Sequence, residues 1–380
     1  MRKTFKYRLR PTPAQRTALQ YVLDTCRWVY NKTLEIRRDA WMVEKKSLSR
    51  YDTNRFLTLW RQENEWLKNG QAQTMQDAQK RVDLAFRAFF QRVKSGEKPG
   101  YPRFKGDGRY DSFTYTQDKW NWRFLDNGRL RMSKVGDVKI VLHRPIEGEV
   151  KTLTVQKDTI GNWYACFSCI VEPKLLAPTD KVVGIDLGLT TFAVFSNGNE
   201  IKRKRWMNYD AKNIAHLQRK KEKFARGSLE WTKTVRALQH SYQRSTNRRN
   251  NFSHQESRKL VNEYQLIVFE DLNISDMQSK KNKVINRGIA DVAWNQFVLF
   301  TAYKAECAGR GVVLVDPKNT TQMCSGCGEI VPKDLSVRKH DCPHCGLSIG
   351  RDLNAALNIL ARGLTSLGFT PKSSLLKQRE

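Results

Sequence analysis

Two Cys-x-x-Cys pairs, Cys324-Ser-Gly-Cys327 and Cys342-Pro-His-Cys345, lie 14 residues apart, and Arg351-Asp352-Leu353-Asn354-Ala355-Ala356 follows closely. That interval is one residue short of the usual zinc-ribbon spacing, yet long enough for two knuckles to close one tetrahedral thiolate site. Gly328 and Gly346 stand just past each pair, where a tight turn needs a permissive backbone. A pair of redox or merely buried dithiols is the competing reading. Two pairs in register favour one structural Zn2+ held by Cys324, Cys327, Cys342 and Cys345, with His344 a bystander.

Carboxylates form the second chemical signal. Asp186 interrupts the apolar run Val182 to Phe195, Glu270 and Asp271 end the apolar run Leu266 to Phe269, Asp316 follows Val312 to Val315, and Asp352 opens a helix just past the second knuckle. A charge in a core strand is costly unless it is paired or binds a metal. Acids gathered from separate elements suit a pair of hard divalent cations such as Mg2+, which take oxygen ligands and can clamp the attacking and leaving oxygens of a phosphodiester.

The elements that must position these groups can be read from periodicity. Lys3 to Arg10 alternates as a half-buried strand, and Thr12-Pro13-Ala14-Gln15 reads as a capping box opening a helix that buries Leu19, Val22, Cys26 and Val29. A second helix over 71–94 buries Met75, Ala78, Val82, Phe86, Phe89 and Val93. Its other faces carry Gln76, Gln79 and Lys80, side chains that can reach base edges in a major groove. A boundary loop with Arg103 and Lys105 follows, then short strands at 112–115, 138–142, 152–155 and 163–171 separated by turn signals, the pattern of a small barrel. In the last strand Cys166 and Cys169 face opposite sides, so this third Cys-x-x-Cys is not a metal site. Residues 175–181 read as a linker. After it, strands alternate with helices.

Charge names the partner class. The 380 residues carry 68 Lys and Arg against 38 Asp and Glu, a net charge of +30 with a pI near 9.9. Between Ile201 and Leu260 stand 17 basic residues against 4 acidic ones, Arg248 and Arg249 among them. Too few carboxylates are present to pair with this excess, and a nucleic-acid backbone fits it. Neither a long apolar run nor an amphipathic basic helix supports a membrane role, and eight cysteines with no signal peptide fit a reducing cytoplasm.

With these residues in place, the chain resembles the TnpB family, transposon-encoded relatives of type V CRISPR effectors. Gly184-Ile185-Asp186-Leu187-Gly188, Phe269-Glu270-Asp271-Leu272-Asn273, Trp294-Asn295-Gln296-Phe297, Thr320 to Gly328 and Arg351 to Ala356 match its signatures in order. Weaker matches in the N-terminal half extend the resemblance to nearly everything before Gly363. It implies an α/β multidomain fold: a RuvC-like RNase H fold nuclease domain (179–319 and 347–362), an inserted zinc-ribbon target-nucleic-acid module (320–346), a β-barrel wedge (1–10 and 103–178), a helical recognition domain (11–102) and a disordered tail (363–380). It further implies an RNA-guided DNA endonuclease with Asp186, Glu270 and Asp352 as catalytic ligands of two Mg2+ ions and one structural Zn2+. Its partners would be a guide RNA encoded at the transposon end and double-stranded target DNA, with one protein copy per RNA as the working expectation. Gln76, Gln79, Lys80, Arg103, Lys105, Arg248 and Arg249 are the candidate nucleic-acid contacts. Gly350, where relatives often carry an aspartate, and Asn250-Asn251 depart from the family pattern. Two alternatives stay open: a nuclease-inactive RNA-guided DNA-binding protein, and a transposase that joins DNA ends.

Overall fold

A computed structural model describes residues 1–116, 120–279, 283–334 and 336–369. It divides into two compact units, Met1–Glu172 and a second beginning at Pro173.

The first unit opens with β1 (Arg2–Arg10), whose alternation buries Phe5, Tyr7 and Leu9. Thr12 then caps α1 (Pro13–Glu44) with the expected reciprocal pair, its hydroxyl accepting from the Gln15 N–H while the Gln15 side chain accepts from the Thr12 N–H. Helices α2 (Arg50–Glu63), α3 (Glu65–Asn69) and α4 (Ala72–Lys94) complete the helical part. Strands β2 (Ser112–Tyr115), β3 (Trp122–Phe124), β4 (Arg129–Met132), β5 (Gly136–Val141), β6 (Glu149–Lys157) and β7 (Trp163–Ile170) join β1 in an antiparallel sheet of order β2-β6-β7-β1-β5-β4-β3. The sheet curls toward closure. Tyr115 on one edge strand donates its hydroxyl to the Ser133 carbonyl at 2.9 Å, beyond β4, and Trp122 on the other edge packs its ring 5.4 Å from that of Phe167 in β7. Cys169 is buried and Cys166 half-buried, on opposite faces of β7 as alternation requires.

The second unit is built on a mixed sheet, β10-β9-β8-β11-β12, made of β8 (Val182–Leu187), β9 (Thr191–Phe195), β10 (Glu200–Lys202), β11 (Leu266–Glu270) and β12 (Gly311–Val315). Strands β8, β11 and β12 run parallel, while β9 is antiparallel to β8 and to β10. Between β10 and β11 lie α5 (Trp206–Glu222) and the 35-residue α6 (Leu229–Glu263); α7 (Ile274–Ser279), α8 (Lys283–Val292) and α9 (Trp294–Ala308) precede β12. The two faces of the sheet divide the work. Val183, Ile185 and Leu187 of β8 and Ile267 and Phe269 of β11 pack with Leu260 and Phe297, and the Phe297 ring lies 5.0 Å from Phe192 and 5.9 Å from Phe269. On the opposite face Val268 and Val315 pack with Ile359 and Leu360 of α10 (Arg351–Ser366). Helix α10 passes the expected domain boundary at 362, because Gly363 packs against Val268 and continues the buried stripe. The remainder of the expected tail beyond 369 lies outside the described residues. A short hairpin, β13 (Lys339–Asp341) with β14 (Ser348–Gly350), leads into α10.

Candidate metal centres and nucleic-acid interface

The α10 side of the sheet gathers the three acids. Strand residues two apart share a face, so Gly184 and Asp186 of β8 and Val268 and Glu270 of β11 all look toward α10. Parallel register pairs Ile185 with Phe269, which makes Asp186 and Glu270 the next residues of neighbouring strands. Gly184 lets the helix in. A Cβ there would stand 2.3 Å from the Ala356 carbonyl oxygen, and Asp352 lies one turn before Ala356, in the first turn of α10. The helix N-terminus, through its dipole, favours that negative charge.

Electrostatics register the gathering. Burial, then the charges of Glu270 and Asp352, push the Asp186 carboxyl up to about 8 against a smaller opposing effect of Arg351. Burial also raises Glu270, opposed by a hydrogen bond from Thr320 and by Arg362. Asp352 accepts from Arg351 Nε at 3.3 Å and Nη2 at 3.2 Å. A carboxylate crowded by two others and short of compensating charge is a donor set that fits a hard divalent cation.

The cysteines form the second centre. Their four Sγ atoms lie within 4.8 Å of one another, with Cys324 to Cys345 at 3.6 Å and Cys327 to Cys342 at 3.7 Å. A tetrahedron with Zn–S arms of about 2.3 Å has edges of about 3.8 Å, so the thiols are arranged for zinc. Two matching knuckles make the arrangement. Gly328 N–H donates to the Cys324 carbonyl at 2.9 Å and Gly346 N–H to the Cys342 carbonyl at 3.0 Å, both glycines having the left-handed backbone that the turn requires, φ +84° and +74°.

Side chains that sequence reasoning did not single out join the centres. Asn354, fully buried in α10, accepts from the Ser325 N–H at 2.9 Å and donates to the Met323 carbonyl at 2.7 Å. Asn358 donates to the Thr320 and Met323 carbonyls at 2.8 and 2.6 Å, and the Thr320 hydroxyl donates to Glu270 Oε1 at 2.5 Å. Arg351 Nη1 donates to the Val337 carbonyl at 3.1 Å. The Asn354 position sat within a recognised motif. Thr320 opened another, but nothing local marked its bond to Glu270.

The expected nucleic-acid contacts separate into two groups. Gln76, Lys80 and Arg103 are exposed. Gln79 is not: four residues after Met75, it falls on the buried stripe of α4, 1% exposed, and its Nε2 donates to the Thr53 carbonyl at 2.7 Å. The polar face of this helix is therefore narrower than expected, while Val93, expected in the core, is exposed. Lys105 is half-buried and its main chain is clamped by the Asn31 side chain in both directions. Arg248 pairs with Asp210 at 2.9 Å and Arg249 donates to the Ala290 carbonyl at 3.2 Å, so both arginines already serve the packing of their own unit.

Family models match residues 294–359 ("Cas12f1-like, TNB domain"), 166–281 ("Probable transposase") and 1–46 ("Helix-turn-helix domain"). The last of these stretches is here one strand and one 32-residue helix. A Streptomyces pristinaespiralis protein named "Putative RNA-guided DNA endonuclease" is 33% identical over 374 residues, covering 96% of this chain and 90% of that one. The chain belongs to the TnpB family. Within the family's wider circle, the TnpB-like protein L79 of Acanthamoeba polyphaga mimivirus is 31% identical, covering 60% of this chain and 46% of that one. The CRISPR-associated endodeoxyribonuclease Cas12f1 of Sulfoacidibacillus thermotolerans is 27% identical over 59% and 56%.

Proposed function

We propose that this TnpB-family chain is an RNA-guided DNA endonuclease whose RuvC-like centre is Asp186, Glu270 and Asp352. The observation that carries the reading is the convergence of these three acids on the α10 side of the sheet, where Asp186 is pushed up to about 8 by burial and by its two neighbours. The strand order β10-β9-β8-β11-β12 with β9 reversed supports an RNase H-type nuclease unit.

The division of labour follows from the chain's own residues. Asp186, Glu270 and Asp352 would hold two Mg2+ ions, which when bound activate water and stabilise charge developing on the phosphodiester. Thr320 and Arg351 hold Glu270 and Asp352 in place. Cys324, Cys327, Cys342 and Cys345 would hold one Zn2+, making 320–346 a target-nucleic-acid module. In the first unit, the curled sheet would serve as the wedge and the helices as the recognition domain. A guide RNA pairs with one DNA strand and so supplies sequence choice, while exposed groups such as Gln76, Lys80 and Arg103 face the nucleic acid. No described helix is long and apolar enough to cross a membrane, and we place the reaction in the prokaryotic cytoplasm.

The test is cleavage by protein purified with its RNA. Mg2+-dependent cutting of a matched duplex is expected, with near-total loss in Asp186→Ala, Glu270→Ala and Asp352→Ala while guided DNA binding is retained. A wild-type complex that binds its target and never nicks it would make the protein a guided DNA-binding factor. Joining of DNA ends would make it a transposase.

A further inference from the structure

We infer that Thr320 is a positioning residue for Glu270, and that through Thr320 the four-cysteine module sets the geometry of the carboxylate centre. The inference rests on the reading of Glu270 as a metal ligand.

Thr320 is 2% exposed, and its hydroxyl proton faces two acceptors, Glu270 Oε1 at 2.5 Å and the Pro317 carbonyl at 3.2 Å. One hydroxyl donates one proton. The shorter contact is to the carboxylate, in the range of a charge-assisted O–H···O bond. With Oε1 so engaged, the carboxylate rotamer is fixed and Oε2 is left to face a cation. Ligating carboxylates held in this way bind metal with less reorganisation.

Thr320 is in turn held by α10, the helix that also holds the first cysteine knuckle. Its carbonyl accepts from Asn358 Nδ2 at 2.8 Å, and the same amide donates to the Met323 carbonyl at 2.6 Å, one residue before the first zinc thiol. Asn354 fixes Met323 and Ser325 on either side of Cys324. The turn at Asn319, left-handed at φ +61°, closes the segment through N–H bonds from Gln322 and Met323 to the Asn319 carbonyl at 3.1 and 2.9 Å. Five side-chain bonds therefore link the cysteine knuckle to the carboxylate, four of them made by two amides of α10, the helix that also carries Asp352. On the other side of Asp352, Arg351 bonds both that carboxylate and the Val337 carbonyl within the module. The cysteine segment and α10, locked together by these bonds, thus hold two of the three acids.

The experiment compares Thr320→Val, Thr320→Ala and Thr320→Ser with wild type, each as the full chain purified with its RNA. Zinc per chain, guided DNA binding, Mn2+ affinity by electron paramagnetic resonance titration and the Mg2+ dependence of cleavage are measured. Thr320→Val and Thr320→Ala are expected to keep zinc and target binding while Mn2+ affinity falls and half-saturating Mg2+ rises by roughly tenfold or more. Thr320→Ser, which retains the hydroxyl, is expected to stay near wild type. Unchanged Mn2+ affinity in both hydroxyl-free variants would overturn the inference, and so would loss of zinc in both, which would make Thr320 a holder of the module alone. Glu270→Ala separates the two readings. If it loses Mn2+ and Thr320→Val does not, only the positioning role falls; if it keeps Mn2+, the ligand assignment falls and this inference with it.

Discussion

Gly184 and Ala356 meet backbone to backbone: a Cβ on the glycine would lie 2.3 Å from the alanine carbonyl oxygen and 2.5 Å from the Leu360 amide nitrogen. Both neighbours are main chain, so neither can rotate away. Helix α10 therefore lies as close to β8 as the chain permits, and this contact sets how far Asp352 stands from Asp186. Gly184→Ala should push the helix outward, destabilising the unit by about 1–3 kcal/mol as an overpacked core does. Cleavage should fall further than the melting temperature suggests, with zinc content unchanged. An unaltered melting curve and rate would show that α10 can shift at little cost.

The raised Asp186 carboxyl makes a pH prediction with a definite sign. Its ordinary value is 3.8 and the site lifts it to about 8. Between those values the folded protein binds a proton that the unfolded chain does not, so metal-free protein should lose stability as pH rises from about 4 to about 8. Asp186→Asn should flatten that slope. Because the same proton competes with a cation, Mn2+ affinity at the centre should rise with pH over this window. Denaturant titrations of metal-free protein at several pH values check the first claim, and a steeper loss in Asp186→Asn than in wild type would refute it.

How far this was legible in the sequence depended on the range of the signal. The capping box at Thr12, the alternation of β1, the cysteine pairs and the acid inside an apolar strand are local, and each appears where the sequence places it. The curl of the first sheet was legible only as a run of short strands, because the central position of β1 between β7 and β5 comes from pairings more than a hundred residues apart. The bonds of Arg248 to Asp210 and of Arg249 to the Ala290 carbonyl could not be read, since these partners are distant in the chain. Thr320 stood in a recognised motif, yet its role was hidden for the same reason: a threonine beside a cysteine motif does not announce a carboxylate fifty residues upstream.

The departure at Gly350 has a local consequence. It is the N-cap of α10, with φ −60° and ψ 136° and no side-chain cap, and a Cβ there would meet nothing within 4 Å. Gly350→Asp should fit without strain and accept from the first-turn N–H groups, raising stability by about a few tenths of a kcal/mol, since glycine is only slightly worse than aspartate at this position. Zinc content should be unchanged. A lower melting temperature would mean that repulsion from Asp352 outweighs the cap.

Gln79 and its neighbours on α4 give the sharpest separation of structure from recognition. Gln79 is buried and bonded to the Thr53 carbonyl, whereas Gln76 and Lys80 are exposed on the same helix. Gln79→Ala should remove that buried bond and leave a gap behind it, costing about 1–3 kcal/mol, without changing which DNA sequence beside the target is preferred. Gln76→Ala and Lys80→Ala should leave stability within about 0.5 kcal/mol, as surface substitutions do, and should weaken binding or relax that preference. Melting curves and a randomised-flank binding assay on the RNA-loaded protein read the two effects apart. If the double variant Gln76→Ala with Lys80→Ala kept both affinity and preference, sequence reading beside the target would belong to another surface, and the exposed face of α4 would be solvated polarity.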